Sequence, residues 1–294
     1  MTESAPRVWV LVLMYGQEEI TAACVDSVLA QDHATSILVI DNASPDGAGA
    51  RLRARYPGIE YLDTGANLGY AGGNNRGIQY ALARGAEYLL VLNNDTVLDP
   101  SCVTLLLRTA RDETRVGIVA PKILYFDDPR RIWFAGGDYS RMRASGLHRR
   151  EREPDTPEEP ARAERITFAT GCAFLIPAGV AREAQGFAED FFMYCEDAEL
   201  GLRLQEAGYH LYYQPAARVY HREPPPPRAP NPTPIQIRLR DRNRRRIARR
   251  HYDRADRLRF AAWFYPTRMI RLSQYLLKRD WQRARAVIDG ALEA

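Results

Sequence analysis

Apolar runs that end abruptly in polar residues dominate the first third of the chain. Four of them span residues 7–14, 36–40, 59–62 and 87–92, a length typical of strands that are buried on both faces. Between and after the runs, apolar residues recur with helical spacing over residues 18–30, 72–84 and 100–111. This alternation predicts an α/β fold, with a mostly parallel, Rossmann-like central sheet flanked by helices over about the first 120 residues.

The pattern becomes less regular after this region and ends in helices. Four further short strands are predicted, over residues 116–121, 123–126, 209–214 and 218–221. A charged, proline-containing segment, 149–165, is predicted to be a mobile surface loop, and the proline-dense tract 223–234 an extended linker or flap. We therefore predict these units: an α/β domain at 1–222 with halves at 1–120 and 121–222, the tract 223–234, and a C-terminal helical extension at 235–294.

Composition indicates an ordinary soluble globular protein. Hydrophobic residues make up 46% and charged residues 27% of the 294 residues, and no apolar run reaches the roughly 18 residues needed to span a membrane. The first residues lack the basic and apolar regions of a signal peptide, and the four cysteines show no CxxC pairing. These features predict a cytoplasmic protein without a disulfide framework or a zinc site.

Polar clusters follow three of the predicted strands, at the sheet edge where α/β proteins bind ligands. Asp41 ends the second strand, where an acidic residue often binds a nucleotide ribose or base; a helix N-cap is the alternative. Residues 67–77 form a glycine-rich loop that opens a helix and suits a diphosphate. The fourth strand ends in Asn93-Asn94-Asp95, whose oxygen atoms suit either a divalent cation or a turn.

Further candidates lie in the second half of the chain. Glu196 and Asp197 stand at a predicted helix start after an aromatic run, so they suit either a general base or a capping pair. His221 ends the last predicted strand. Eleven arginines fall between Arg238 and Arg259, but no DNA- or RNA-recognition motif accompanies them. The basic, aromatic-rich helices beyond them suit an anionic membrane surface or packing on the α/β domain.

Taken together, these clusters resemble a family 2 glycosyltransferase of GT-A fold, in particular the rhamnosyltransferase-like branch that builds bacterial surface polysaccharides. The segments that carry the resemblance are Asp41-Asn42-Ala43-Ser44, Asn67-Leu68-Gly69 with Asn74-Asn75-Arg76-Gly77, Leu92-Asn93-Asn94-Asp95, and Glu196-Asp197 followed by Glu199-Leu200-Gly201-Leu202-Arg203. The resemblance implies that 1–222 is the catalytic domain, with a nucleotide-binding half at 1–120 and an acceptor half at 121–222.

The resemblance also implies roles for individual residues. Asp197 is the catalytic base, with Glu196 and Glu199 in support, and Asp95 and His221 hold Mn²⁺ or Mg²⁺. Asn93 stands in the metal motif where an aspartate is usual, so Asp95 is the motif's only carboxylate. An amide is a weaker ligand for a hard cation than a carboxylate. The remaining residues implied to bind the nucleotide sugar are Tyr15, Asp41, Asn67, Gly69, Asn75 and Asn94.

The implied activity is inverting, nonprocessive transfer of a sugar from a nucleotide-diphosphate sugar, with dTDP-rhamnose as one candidate donor. The acceptor is a saccharide or lipid-linked hydroxyl. Transfer is implied to be nonprocessive, since the QxxRW signature of processive synthases is absent and Arg242-Asn243-Arg244 is similar to an element of nonprocessive members. Lipid-linked acceptors in the family favour peripheral contact with the inner face of the cell membrane, and a homo-oligomer remains open. Two alternatives are a non-catalytic carbohydrate- or membrane-binding scaffold and a sugar-nucleotide pyrophosphorylase.

Overall fold

The structure is a computed structural model that describes residues 5–156, 162–223 and 231–293. Its strands are β1 Val8–Met14, β2 Thr35–Asp41, β3 Glu60–Asp63, β4 Tyr88–Asn93, β5 Thr96–Leu98, β6 Val116–Tyr125, β7 Ile132–Phe134, β8 Gly137–Ser140, β9 Ser145–His148, β10 Glu164–Ile166, β11 Ala173–Pro177 and β12 His210–His221. Its helices are α1 Glu18–Leu29, α2 Ala48–Arg55, α3 Gly69–Ala83, α4 Cys102–Asp112, α5 Ala178–Glu183, a 3-10 turn Glu189–Phe191, α6 Glu196–Glu206, α7 Pro234–His251, α8 Arg254–Leu277 and α9 Trp281–Leu292.

One large sheet organises the molecule, in the strand order β10-β12-β6-β11-β4-β1-β2-β3. The β3-β2-β1-β4 half is parallel, as the βαβ pattern predicted. Strand β11 then runs antiparallel between β4 and β6, while β6 and β12 are parallel to each other. The central strands are fully buried, which explains their continuous apolar runs: Leu11, Leu38 and Val91 have no solvent exposure. The predicted α/β fold with a mostly parallel central sheet is confirmed.

Two pairs of strands that were predicted to be separate are each one continuous strand in the structure. Residues 116–121 and 123–126 form one strand, β6, and residues 209–214 and 218–221 form one strand, β12. Pro121 lies inside β6 opposite Gln214, where the register shifts and β12 bulges before Arg218. A bulge locally interrupts the hydrogen-bond ladder, so a proline without an N–H is tolerated there.

The charged segment at 149–165, predicted as a surface loop, packs in part against the sheet. Asp155 ion-pairs with the Lys122 ammonium at 2.7 Å, and both side chains are more than nine-tenths buried. Glu164 to Ile166 form β10 at the sheet edge. The buried ion pair attaches the described part of this segment to β6, and its mobility stays a prediction. Residues 157–161 lie outside the described residues.

Most of the proline-dense tract, 224–230, also lies outside the described residues, so its role as a linker or flap stays a prediction. Its last residues start α7: Thr233 caps the helix and exchanges hydrogen bonds with Gln236, and Pro234 occupies the first turn. A threonine cap followed by proline stabilises a helix start, because the threonine oxygen accepts from an unpaired backbone N–H and proline has no N–H that would need a partner.

The C-terminal helices form a layer against the α/β domain. Helix α7 lies beside α6 and α9, and α9 also packs on α8. A buried ion pair between Arg268 of α8 and Asp241 of α7 joins two of these helices, and Arg238 binds Glu293 with two hydrogen bonds. Among the described residues, none of the helices combines the length and the apolar character needed to cross a bilayer. The division of the chain at 222 and 234 remains a prediction.

Candidate active site

The parallel strands bring the predicted clusters to one edge of the sheet. Met14 pairs with Asp41 across β1 and β2, and Leu13 pairs with Asn93 across β1 and β4. The loops after these three strands therefore start side by side. Because strand ends of a parallel sheet form the ligand-binding crevice, this edge is the candidate site.

Asp41 belongs to a local loop network rather than to a helix cap. Its Oδ1 accepts hydrogen bonds from the Ser44 backbone N–H at 2.9 Å and the Ser44 hydroxyl at 2.6 Å, whereas α2 is capped by Gly47. The Ser44 hydroxyl oxygen in turn accepts from the Gly16 N–H at 2.7 Å, which ties the loops after β1 and β2 together. Tyr15, next to Gly16, is 51% exposed and so is available to a ligand.

A buried asparagine holds the glycine-rich loop against β2. The Asn42 amide donates to Asn67 Oδ1 and to the Gly69 carbonyl, both at 3.1 Å, and its oxygen accepts from the Leu68 N–H. Gly69 has a φ of +71°, and an added Cβ would lie 2.4 Å from the Phe192 carbonyl oxygen. No other residue fits this position without moving the Phe192 backbone. Asn42 belongs to one of the segments that carry the family resemblance, but no role was predicted for it.

Asn75 makes hydrogen bonds within the protein that were not predicted from the sequence. Its amide donates to the Phe187 carbonyl and to Glu189, and its oxygen accepts from the Phe187 N–H at 2.8 Å. It is 5% exposed. The side chain therefore fastens α3 to the segment before α6, and binding of the nucleotide sugar by Asn75 stays a prediction.

Asp95 and His221 meet although they are far apart in sequence. Asp95 Oδ1 lies 3.3 Å from His221 Nε2, because β5 pairs with the end of β12 and places Thr96 opposite His221. Both Asp95 Oδ1 and His221 Nδ1 are buried without a hydrogen-bond partner among the described residues, and His221 Nδ1 lies 3.7 Å from a Glu223 carboxylate oxygen. Burial lowers the pKa of His221, but the neighbouring Cys172 and the Asp95 carboxylate outweigh it and raise the pKa well above its usual value.

The two other residues of the strand-four motif face different neighbours. Asn93 donates its backbone N–H to the Cys172 carbonyl at 2.9 Å, and the Asn94 amide donates to the Thr21 hydroxyl at 2.9 Å. Within the described residues, no group of three or more histidine, cysteine, aspartate or glutamate side chains could hold a metal ion. Asp95 and His221 thus form a two-residue donor set with unpaired buried atoms, which fits a hard cation that takes its other ligands from elsewhere.

An aromatic cluster that the sequence did not identify lies beside His221. The Trp133 ring packs edge-on against His221 and His148, with centroid distances of 4.6 and 4.5 Å. Its indole N–H donates to Glu223 at 2.7 Å, and burial lowers the pKa of His148. Nothing in the local pattern around Trp133 or His148 signals this, because the contacts join β7, β9 and β12.

Glu196 and Asp197 lie at the start of α6, as predicted, but in different environments. Asp197 is partly accessible, and its two oxygens accept backbone hydrogen bonds from Gly171 at 2.9 Å and Ala198 at 2.7 Å. Glu196 is 6% exposed, and its Oε2 has no hydrogen-bond partner among the described residues. Burial and then the charge of Asp197 raise the pKa of Glu196 to about 8, and burial also raises the pKa of Asp197. The backbone donors favour the charged form of Asp197, so Glu196 is the residue of the pair that keeps a proton at neutral pH.

Glu199, the third acid of the motif, belongs to a buried ion cluster. It accepts hydrogen bonds from Arg203 Nε at 2.9 Å and lies 3.5 Å from the His251 ring. Burial would raise the pKa of Glu199, but hydrogen bonds from His251 and Arg203 lower it overall. Glu199 is therefore an ionised residue that connects α6 to α7, which is a structural role.

Residues 171 and 172 connect the two halves of the site. Gly171 donates to Asp197, while the Cys172 carbonyl accepts from Asn93, so two adjacent residues join the start of α6 to the end of β4. The Tyr70 hydroxyl donates to the Gly171 carbonyl and holds the segment from α3. The sequence showed 170–174 only as part of an apolar stretch, because backbone groups carry its contacts.

Comparison with protein families matches residues 9–184 to the family "Glycosyl transferase family 2". The chain is 31% identical to the N-acetylglucosaminyl-diphospho-decaprenol L-rhamnosyltransferase of Mycobacterium tuberculosis H37Rv over 214 residues, which cover 66% of this chain and 69% of that protein. It is 23% identical to the rhamnosyltransferase WbbL of Escherichia coli K12 over 230 residues, which cover 73% and 83%.

Solved structures share the fold. GalNAc-T7 with UDP, GalNAc and Mn²⁺ matches with a TM-score of 0.68 at 16% identity, over 90% of this chain and 50% of that chain. This chain therefore spans half the length of that protein. The mannosyltransferase PcManGT from Pyrobaculum calidifontis, in complex with GDP-Man and Mn²⁺, matches with a TM-score of 0.59 at 15% identity, over 99% and 87%. Both are glycosyltransferases of GT-A fold, so the predicted fold is confirmed.

Proposed function

Because the chain belongs to glycosyl transferase family 2, we propose that this rhamnosyltransferase-like glycosyltransferase transfers a single sugar with inversion at the anomeric carbon. The donor is a nucleotide-diphosphate sugar, with dTDP-rhamnose as first candidate, since two relatives are named as rhamnosyltransferases. The acceptor is a hydroxyl of a lipid-linked saccharide, and the name of the mycobacterial relative suggests an N-acetylglucosaminyl diphosphate lipid.

The donor would lie across the edge formed by the loops after β1, β2 and β3. Asp41 keeps one carboxylate oxygen on Ser44 and offers the other to the base or ribose. Tyr15 is exposed beside it, and Asn67 and Gly69 form the entrance to α3. A helix N-terminus favours an anion, so the diphosphate is expected between this entrance and Asn94.

Asp95 and His221 would hold Mn²⁺ or Mg²⁺, because Asp95 Oδ1 lies 3.3 Å from His221 Nε2 and this carboxylate oxygen is buried without a hydrogen-bond partner among the described residues. When bound, the cation supplies Lewis-acid neutralisation of the departing diphosphate. Asn93 contributes an amide at most, so the chain offers one carboxylate and one imidazole. An imidazole ligand tilts the preference slightly towards Mn²⁺.

Asp197 is the proposed catalytic base. It takes the proton from the acceptor hydroxyl; the oxygen then attacks the anomeric carbon from the face opposite the diphosphate, and the bond to the diphosphate oxygen breaks. Two backbone amides fix the carboxylate and favour its charged form. The pKa of Glu196, raised to about 8 by burial and by the charge of Asp197, keeps this neighbour protonated at neutral pH and so avoids a second charge that would repel the first.

The observation that carries the proposal is the backbone connection at residues 171–172. It places a partly accessible carboxylate, Asp197, and the strand end that precedes Asp95 on the two sides of one short segment. A sugar transferase needs a base on one side of the anomeric carbon and charge neutralisation on the other. The pyrophosphorylase and scaffold alternatives have no comparable observation in their favour.

The C-terminal helices are proposed to contact an anionic lipid surface. Within the described residues, ten of the fourteen exposed large hydrophobic side chains fall between 235 and 292. Four of them share one face of α8, which is flanked by exposed arginines. These four residues, called here the α8 stripe, are Leu258, Tyr265, Met269 and Leu276. Apolar side chains beside arginines suit the boundary between acyl chains and acidic headgroups.

A thermal-shift screen of nucleotide-diphosphate sugars, with and without Mn²⁺, tests the donor assignment. A ligand that binds the native state raises the melting temperature, so dTDP-rhamnose with Mn²⁺ should give a larger shift than UDP- or GDP-sugars. Transfer from that donor to a short-chain N-acetylglucosaminyl diphosphate lipid, followed by mass spectrometry, tests the acceptor. Donor hydrolysis or transfer must be detected with at least one nucleotide sugar; its complete absence would contradict an enzymatic function.

A further inference from the structure

The turn that precedes the catalytic helix is held in an unusual backbone conformation. Phe192, Tyr194 and Cys195 have φ values of 63°, 71° and 68°, in the left-handed region that side chains other than glycine rarely adopt. Cys195 is also the residue immediately before α6, so this turn sets the direction in which α6 begins. A strained backbone of this kind persists only when its surroundings hold it, and such strain is concentrated at functional sites.

Asn243 of α7 supplies most of that support. Its side-chain amide donates to three carbonyl oxygens of the turn: Phe191 and Met193 at 2.9 Å and Tyr194 at 2.7 Å. Asn243 has no solvent exposure, and its own oxygen accepts from Arg242 Nε at 3.0 Å. All polar groups of the Asn243 side chain therefore have hydrogen-bond partners, and both of its amide hydrogens are donated to the turn.

Neighbouring arginines of α7 hold the start of the same turn. Arg242 donates to the Phe191 carbonyl at 2.9 Å, and Arg246 donates to the Asp190 carbonyl. Arg250 binds the Asp190 carboxylate at 2.7 Å. These α7 residues are three or four positions apart, so they lie on one face of the helix. That face binds residues 190–194, just before Glu196 and Asp197.

We infer that Asn243 is a positioning residue for the transfer reaction: from the C-terminal extension it fixes the 191–195 turn and thereby the placement of Asp197 against the acceptor hydroxyl. The inference rests on the proposed role of Asp197 as base. Asn243 does not contact Asp197 itself; it acts through the turn. Because a displacement of about 1 Å at a reacting group can lower a rate about 100-fold, a loosened turn should lower kcat more than substrate binding.

The test compares full-length variants with matched controls on the same helix. Asn243→Ala removes the amide, and Ile247→Ala removes a buried apolar side chain one turn later that cannot donate a hydrogen bond to the turn. Arg242→Gln removes one donor to Phe191, and Arg238→Gln removes an exposed arginine one turn earlier that binds Glu293 instead. Asn243→Asp keeps the side-chain volume but replaces the donor by an acceptor that faces three carbonyl oxygens.

Rates are measured with dTDP-rhamnose and a short-chain N-acetylglucosaminyl diphosphate lipid in detergent, without vesicles. Asn243→Ala and Asn243→Asp should lower kcat about 100-fold and Arg242→Gln about tenfold, with the donor KM within about threefold of wild type. Ile247→Ala and Arg238→Gln should keep kcat within about threefold. Arg242→Gln removes no buried side chain, so it decides the matter if the Asn243 variants fail to fold.

Hydrogen–deuterium exchange separates this inference from the proposed function. Peptides that cover 190–195 should exchange faster in Asn243→Ala than in wild type, and Ile247→Ala should leave them unchanged. If the wild type shows no transfer with this probe, the proposed function fails while exchange still reports on the turn. The inference is overturned if the Asn243 variants keep kcat near wild type, if Ile247→Ala loses as much activity, or if the turn peptides exchange normally.

Discussion

Gly171 donates its backbone N–H to the carboxylate of Asp197 at 2.9 Å, across 26 residues of sequence. A side chain at position 171 would meet the Tyr70 hydroxyl at 3.1 Å and Asp197 Cβ at 3.5 Å, so the segment lies tightly between the two. The next residue, Cys172, binds the backbone of Asn93. The proposed base and the proposed metal motif therefore cannot shift independently, and changes on either side should affect the chemical step.

Replacing Asp197 with asparagine should abolish transfer but preserve donor binding. The amide can still accept from Gly171, yet it cannot take a proton, and a general base contributes about 100- to 10,000-fold to a rate. We expect kcat to fall by that order, with the donor dissociation constant from calorimetry nearly unchanged. Glu206→Gln, at the exposed far end of α6, is the control. Near-normal turnover of Asp197→Asn would remove Asp197 from the role.

Glu196→Gln should make stability depend less on pH. In wild type the folded pKa of Glu196 is about 8 and the ordinary value is 4.5, so between these values the unfolded chain releases a proton that the folded chain keeps. The free energy of unfolding of wild type, relative to Glu196→Gln, should thus fall from about pH 4.5 to about pH 8, by on the order of 1 kcal/mol per pH unit, and stay level above that. Urea titrations at pH 5, 6.5, 8 and 9 measure it. A constant difference across this range would show that Glu196 is ionised in the folded protein.

Chelation should remove activity, and Mn²⁺ or Mg²⁺ should restore it. His221→Ala deletes the imidazole of the proposed donor set, so we expect the Mn²⁺ affinity in the presence of the nucleoside diphosphate to fall at least about tenfold. Electron paramagnetic resonance of free Mn²⁺ measures this without turnover. His210→Ala, at the opposite end of β12, should bind as wild type does. Unchanged rates in chelator would mean that Asp95 acts without a cation.

Binding to anionic vesicles should depend on the α8 stripe. Replacing Leu258 and Met269, 72% and 65% exposed, with glutamate should weaken cosedimentation with phosphatidylglycerol vesicles about tenfold or more, since each removes apolar area and adds a like charge. Leu29→Glu, 57% exposed on α1, is the control for a distant surface. Equal vesicle binding by all forms, combined with dissociation of an oligomer in the stripe variant, would assign the stripe to a second copy of the chain.

The strand ends of the site could be predicted because their signals are local. Apolar runs that stop at Asp41 and Asn93, and acidic residues that open α6, are visible in short windows, and a parallel sheet brings such strand ends together. The meeting of Asp95 with His221 was reached through the family resemblance, not through the pattern. The bulge after Gln214 was interpreted as a break between two strands, because residues 214–218 interrupt the apolar pattern although the strand continues through them.

The missed residues act through tertiary contacts that leave little local signal. Gly171 contributes a backbone N–H, which any residue has, and Trp133 and His148 meet His221 only because β7, β9 and β12 adjoin. Asn243 left a weak trace: it is a poor helix former in the middle of a predicted helix, where a packing or functional reason is to be expected. Which backbone groups it binds follows only from the fold.

The match to the family ends at residue 184, whereas Asn243 and the arginines around it lie in helices well beyond that limit. The family match therefore ends before Asp197 and before the helix that holds the turn in front of it. A chimaera that combined this α/β domain with the C-terminal helices of a relative would have to inherit a donor for the carbonyl groups of residues 191–194. Exchange of the C-terminal helices between relatives is thus constrained. Residues 191–194 and the α7 residues that bind them are expected to change together in evolution.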